Sequence, residues 1–350
     1  MTTNTTYDVT IIGGGPAGLF AAFYSGLRGL KTKVIEFQPY LGGKVHVYPE
    51  KMVWDVGSVP PLTGAQLIEQ MIEQGLTFDP TVILNTKVTS ITQDKHNIFH
   101  LHTNEDITHY SKTVIVAIGG GILQPQRLEL KHISHFEQTN LHYLMKPLTY
   151  FKNKDILISG GGHSAIDWAA ELEPLVNKIY LTYRGDTFRG HETVTEKVLS
   201  SEKVTSFFET NITKFISSDS GNTIEQVELT ETESNKKHLI AVDDVIVHHG
   251  YIRDNSLLQD SPLQINLHDD YFIMGSSLSE SSVEGLYAAG DILHHDGKLH
   301  LIAGAYQDAA NAINMAKRYL DPEASKHAMV SSHNDKFKQK NKAIIEQQMK

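Results

Sequence analysis

The chain has 350 residues and no cysteine. Disulfide stapling is therefore excluded, and so is any thiol relay that could store or pass electrons. Long apolar runs are missing too: no stretch of about 18 apolar residues occurs, so no membrane-spanning helix is expected. Met1 to Thr6 do not join a basic stretch to an apolar one, and the reading is a soluble protein kept in the cytoplasm. Positive charge is scarce, with 31 Lys and Arg against 41 Asp and Glu and a formal net charge of −10. Nucleic acid, which needs clustered cations, is not an expected partner. The one gathering of lysines, Lys336, Lys338, Lys340, Lys342 and Lys350, reads as a solvated tail, with docking of an acceptor as the alternative. Histidine is plentiful, but the adjacent pairs His248-His249 and His294-His295 point to opposite faces of a strand and chelate poorly, so no metal is expected.

Two glycine-rich turns share one layout: Gly13-Gly14-Gly15-Pro16-Ala17-Gly18 and Gly160-Gly161-Gly162-His163-Ser164-Ala165. Each follows an apolar run that reads as a buried strand, Tyr7 to Ile12 and Asp155 to Ser159, and each opens a helical pattern. In that setting the first glycine allows a sharp turn, the second admits a pyrophosphate to the backbone, and the third position lets helix and strand pack closely. The phosphates rest on the positive end of the helix. Ser164 reads as a cap of its helix, since it lacks the strand-elbow setting of a nucleophile.

Overlaying the two turns makes them unequal. Glu36 ends the next strand after the first turn, where an acid accepts hydrogen bonds from a ribose 2′-hydroxyl. The same offset from the second turn falls on Tyr183, followed by Arg184 and then Arg189. A carboxylate repels a 2′-phosphate, whereas a guanidinium binds it through paired charge-assisted bonds. The first site is therefore expected to take FAD and the second NADPH.

With 40% hydrophobic residues the chain has material for two or three cores. The spacing predicts a helix over Leu62 to Gln74 capped by Thr63, then three alternating segments near Val82–Leu84, Lys87–Gln93 and Asn97–Thr103 that read as a small antiparallel excursion. Thr113 to Ile118 and Asp244 to His248 read as strands, Val204 to Leu239 as β-rich, and Ile302 to Tyr319 as a long helix. The expected fold is α/β, with two Rossmann-like three-layer dinucleotide-binding domains. The NADPH domain, 121–281, is inserted in a discontinuous FAD domain, 1–120 and 282–350.

Gly13–Gly18, Leu41-Gly42-Gly43, Tyr48-Pro49-Glu50-Lys51, Gly160–Ala169 and Gly285–Asp291 with the C-terminal helix together resemble the ferredoxin–NADP reductases built on the thioredoxin reductase plan. The resemblance runs from Tyr7 to about Pro322. It implies a homodimeric FAD protein whose C-terminal extension reaches over the partner subunit's flavin. For FAD it implies Gly13, Gly15, Pro16, Ala17, Gly18 and Glu36 at the pyrophosphate and adenosine, and Gly43 and Lys44 beside them. Tyr48 would stack on the isoalloxazine, Val88 face the adenine, Leu123 lie at the flavin edge, Asp291 bind the ribityl chain, and Ser332 reach in from the tail. For NADPH it implies Gly160, Gly162, His163, Ser164, Ala165, Arg184 and Arg189. Four positions depart from the family: Lys44 replaces Gln, Leu123 an aromatic, Val330 a stacking His, and Gly185 one arginine of the NADP loop.

The chemistry follows from these assignments. NADPH releases a hydride, FAD can hold the two electrons and release them singly, and no side chain of this protein can take them next. The N-terminus of the helix beginning at Ile302 suits the negative charge that develops on the flavin. Electrons are expected to leave the flavin directly for ferredoxin or flavodoxin. The alternatives are an NAD(P)H dehydrogenase reducing a quinone or other small acceptor, and a flavin-binding redox sensor without turnover.

Overall fold

The structure is a computed structural model that describes residues 5–121, 124–252, 254 and 256–348. The chain forms two compact units, Met1–Leu123 with Arg253–Lys350, and Gln124–Ile252.

In the first unit, strand Thr6–Ile12 runs through a glycine turn into helix α1 (Pro16–Leu27) and returns as strand Thr32–Ile35. Helix α2 (Gly64–Gly75) follows, closed at its start by a capping box in which Thr63 and Gln66 exchange side-chain and backbone bonds. Strand Thr81–Ile83 pairs parallel with Thr32–Ile35 and extends the parallel sheet, so only Val88–Gln93 and Phe99–Thr103 form the antiparallel excursion. Three residues at a sheet edge are too few for their pattern to distinguish the two arrangements. Strand Thr108–Val116 pairs parallel with Thr6–Ile12 on one side. On its other side the first half pairs antiparallel with Phe99–Thr103 and the second half parallel with Leu286–Ala288. The chain thus comes back from the inserted unit to complete the first sheet. Side chains alternate between two apolar clusters: Val9, Ile11 and Val34 face the helices, and Ile12, Ile35 and Val116 face the opposite side.

Among the polar side chains buried in this sheet is a lysine. Lys33 is 1% exposed, with Nζ 3.1 Å from His109 Nδ1 and 4.1 Å from the centre of the Tyr7 ring. Burial, then the nearby Lys31 charge, lowers its pKa to about 8, and burial with the Lys33 charge lowers that of His109 to about 4. Lys33 therefore holds fewer protons when folded than unfolded between pH 8 and its ordinary value of 10.5, so the cost of its charge is full below pH 8 and fades as pH rises. Lys33→Met is expected to raise stability by roughly 1 kcal/mol near neutral pH, the lost donor to His109 offsetting part of the gain. Thermal midpoints at about pH 7 and about pH 10 check this, because the gap between variant and parent must narrow at the higher pH. A gap that widens would overturn the assignment of the charge.

The second unit repeats the strand–turn–helix theme. Strand Asp155–Ser159 leads into helix α3 (His163–Leu172), strand Lys178–Thr182 follows, and helix α4 (Glu192–Leu199) precedes strand Val204–Phe207. The parallel sheet is ordered 141–142, 244–247, 155–159, 178–182, 204–207. A separate antiparallel sheet is formed by Thr210–Ser217, Ile224–Glu231 and Lys237–Ala241. Phe151 and Trp168 are buried in this unit.

The sequence pattern placed the return to the first unit near 282, whereas the compact unit resumes at 253. Helix α5 (Ser256–Gln259) puts Leu257 and Leu258 into the same apolar cluster as Val88, Ile91, Tyr271 and Ile273, which binds this stretch to the first unit. Helix α6 (Ile302–Leu320) lies along α1. The lysine-bearing tail folds into helix α7 (Lys338–Gln348), on which Lys338, Lys340 and Lys342 are exposed. Ahead of it, Lys336 Nζ donates to the Gly26 carbonyl at 2.6 Å, and the Phe337 ring packs against Phe23 and Phe78.

Candidate functional site

In a parallel sheet the carboxyl ends of the strands make the crevice where ligands bind. Both units build it from a ladder of short backbone bonds. In the first, Gly13 N–H donates to Ile35 O (2.9 Å), Ala117 N–H to Ile12 O (2.8 Å) and Ala289 N–H to Val116 O (3.0 Å). In the second, Gly160 N–H donates to Thr182 O (3.0 Å) and His248 N–H to Ser159 O (2.7 Å). Each turn therefore leaves its strand at a fixed height and angle.

The glycines answer to sterics. Gly13 has φ +106°, and a Cβ on Gly18 would overlap the Gly13 carbonyl oxygen, so helix α1 can sit against its strand only without that carbon. Gly43, at φ +58°, is pressed on Gly15: its Cβ would stand 2.7 Å from the Gly15 Cα. A Cβ on Gly162, by contrast, would meet nothing within 4 Å, which marks open space over the second turn. The N-caps of α1 and α3 are Gly15 and Gly162, neither helix has a side-chain cap, and neither carries an acid in its first turn. Their free N–H groups point where a pyrophosphate would lie, and the residues present fit a dinucleotide at each turn. Ser164 is inside the first turn of α3 and does not cap it, contrary to the sequence expectation.

Around the first turn the structure gathers most of the expected residues. Glu36 is buried, with Oε2 2.6 Å from Gly14 N and Oε1 2.7 Å from Gln38 N. Burial raises its pKa, against the lowering effect of those backbone donors and of His46. Pro16 and Ala17 begin α1, and a Cβ on Gly290 would come 3.1 Å from Ala17 Cβ, so the Gly290-Asp291 turn lies on the fingerprint helix. Tyr48 is half-buried; burial first, then the charges of Asp55 and Asp291, raise its pKa. Ile302 opens α6, whose start has no side-chain cap and no first-turn acid. Lys44 is exposed on a short 3-10 turn, Gly43–Val47. Val88 has its side chain in the apolar cluster with Ile12 and Ile35, so only its backbone could face a ligand. Leu123 lies outside the described residues.

Ser332 is not brought to this cluster. It is exposed on a 3-10 turn, Ser331–His333, with Oγ 3.1 Å from His333 Nδ1. The tail touches α1 at its far end, where Arg28 donates to Ser325 O and Tyr24 OH accepts from Ala328 N.

Sequence reasoning missed a second-row anchor here. Asp308 on α6 accepts from Gly290 N–H (3.0 Å) and from Lys298 Nζ, tying the Gly290-Asp291 turn and the segment before α6 to one buried carboxylate. No motif spans these three positions.

Around the second turn, Arg189 N–H donates to Gly161 O at 2.7 Å, holding the 184–189 loop beside the fingerprint. Arg184 and Arg189 are both exposed. His249 donates to or accepts from Ser159 Oγ at 2.8 Å, and its pKa is lowered by burial and by the charge of Arg184, which places that guanidinium near the strand end. At the place where Glu36 stands over Gly14, the ring of Tyr183 stands over Gly161. No carboxylate occupies that position in the second unit.

The model of the pyridine nucleotide-disulphide oxidoreductase family matches residues 7–316. A protein of Bacillus licheniformis named ferredoxin–NADP reductase 1 is 57% identical, over 99% of both chains. A ferredoxin–NADP reductase 2 of Exiguobacterium sibiricum is 56% identical, over 97% of both. Among solved structures, the thioredoxin reductase of Lactococcus lactis superposes with a TM-score of 0.72 at 22% identity, over 90% of this chain and 99% of the other. The fold is thioredoxin reductase-like.

Proposed function

The chain belongs to the pyridine nucleotide-disulphide oxidoreductase family, and from that premise we propose that it works as a ferredoxin–NADP reductase, passing electrons from NADPH through FAD to ferredoxin or flavodoxin. It is an FAD-dependent oxidoreductase, and it has no redox disulfide. The observation that carries the reading is the complete absence of cysteine in a family named for disulphide chemistry, with both glycine-rich turns intact. Bound FAD accepts a hydride and can release its electrons one at a time.

The protein's part is binding, orientation and electrostatics. Gly15, Ala17 and Gly18 would offer N–H groups at the start of α1 to the FAD pyrophosphate, while Gly13, bonded to Ile35, and Pro16, which has no N–H, set the turn and the helix start. Glu36, fixed by Gly14 and Gln38, offers its remaining lone pairs to the adenosine ribose. Asp291 would take the ribityl hydroxyls, Tyr48 would stack on the ring system, and Gly43, Lys44 and the Val88 backbone would line the rest. The free N–H groups at the start of α6, at Ile302, would stabilise negative charge developing on a bound flavin. Gly160, Gly162, His163, Ser164 and Ala165 hold the NADPH pyrophosphate, and Arg184 and Arg189 its 2′-phosphate. We read the working unit as a cytoplasmic homodimer in which Ser332 serves the partner subunit's flavin. Among the described residues no helix is long and apolar enough to cross a membrane.

The test is a steady-state panel with NADPH as donor and ferredoxins, flavodoxins and quinones as acceptors. The expected result is turnover fastest with a protein carrier. Rates higher with quinones would select the small-acceptor reading, and flavin reduction by NADPH too slow for turnover would select the sensor.

A further inference from the structure

The second glycine turn has a feature of its own. The ring of Tyr183 is enclosed by two glycines: a Cβ on Gly161 would overlap it, and one on Gly185 would stand 2.6 Å from its Cε1. Gly185 therefore does more than omit a side chain, because Tyr183 fills the space a side chain there would enter. The cations of this loop are left as Arg184 and Arg189.

Two imidazoles stand at the open side of the same turn. His163 is the first residue of α3, directly after the open Gly162, and His191 is the N-cap of α4. Their rings meet edge to face, with centroids 4.9 Å apart. The Arg189 bond to Gly161 pins the segment that leads to His191, and Arg189 also bridges to Gly162. Both histidines are exposed, His191 makes no capping bond to α4, and neither ring has a hydrogen-bond partner among the described residues. Two rings with unused ring nitrogens thus sit beside a turn built for phosphate.

We propose that His191, held edge-on by His163, is a specificity-determining residue of the dinucleotide site and supplies to the 2′-phosphate the donor that Gly185 cannot. This rests on the reading that the second turn takes NADPH. An imidazole donates one N–H when neutral and two when protonated, so it can complete a phosphate's bonds alongside two guanidinium groups. His163, at the start of α3, is nearer the pyrophosphate, and its edge fixes the direction of the His191 ring.

Isothermal titration of the FAD-loaded protein with 2′,5′-ADP and with 5′-AMP separates the possibilities, since the two probes differ in the 2′-phosphate. The parent is expected to prefer 2′,5′-ADP, and Arg184→Ala to lose most of that preference. His191→Ala should weaken 2′,5′-ADP about tenfold, the worth of one charge-assisted hydrogen bond, and leave 5′-AMP within about twofold. His191→Arg should restore the preference. If parent and Arg184→Ala alike show none, the NADPH reading fails. If the parent prefers 2′,5′-ADP while His191→Ala keeps that preference, or weakens both probes equally, the role given to His191 is overturned.

Discussion

Gly18→Ala is expected to purify as a folded but colourless protein. The added methyl would overlap the carbonyl oxygen of Gly13, and the obstacle is backbone, so no side chain can rotate away to admit it. Helix α1 would have to lift from strand Thr6–Ile12, yet Ala17, Leu19, Ala21 and Ala22 seat it in the core against Val9 and Ile11. Overpacking of this kind costs about 1–3 kcal/mol or more. The first turn of α1 carries the N–H groups offered to the FAD pyrophosphate, so the displacement falls on the cofactor before it falls on the fold. A loss of about 3 kcal/mol is more than a hundredfold in FAD affinity. Visible absorbance of the purified protein, with FAD titration of the stripped form, gives the result. The second unit supplies the control: Trp168, buried in α3, should report NADPH binding at the parent's affinity. Full flavin occupancy with an unchanged Kd would show that close packing at Gly18 is dispensable.

The two turns were readable in sequence because their requirements are local. A strand end, a residue without Cβ and a helix start occupy six consecutive positions, and the contrast between Glu36 and Tyr183 needs only a count along the chain. The junction near 253 was not readable. Between 253 and 281 the elements are a four-residue helix and strands of two or three residues, too short for a period, and what binds them to the first unit is the burial of Leu257 and Leu258. Lys336 shows the same limit at the surface. In sequence it is one of several lysines, and only the fold brings its ammonium to the carbonyl of Gly26 at the end of α1, where burial lowers its pKa. His191 and Asp308 were missed for a related reason: each gains meaning from a partner, His163 or Gly290, that no short motif links to it.

Asp244→Ala should destabilise the second unit by roughly 3 kcal/mol while leaving the flavin in place. Asp244 is 1% exposed, at the start of a strand flanked on both sides by parallel neighbours. Its Oδ1 lies 2.6 Å from His142 Nε2 and accepts from Tyr150 OH at 3.2 Å, while Oδ2 accepts from Lys154 Nζ at 2.8 Å. One carboxylate thus ties three chain segments together at the amino ends of the sheet. Alanine there strands the Lys154 ammonium and the His142 ring, and removing one partner of a buried pair typically costs about 3–5 kcal/mol. The lower figure applies because Lys154 keeps some contact with water. Asn at 244, which still accepts hydrogen bonds, should lose less. Burial alone would lower the pKa of Lys154, but the bond and charge of Asp244 outweigh it and raise the value above 10.5. The pair's contribution is therefore full below pH 10.5 and is lost as pH rises through the folded value, so the deficit of the variant must shrink in strong alkali. Tryptophan fluorescence during denaturant unfolding isolates the unit, since Trp168 is 3% exposed and Trp54, in the other unit, is already 75% exposed. An unfolding free energy within about 0.5 kcal/mol of the parent would mean that this network does not hold the sheet.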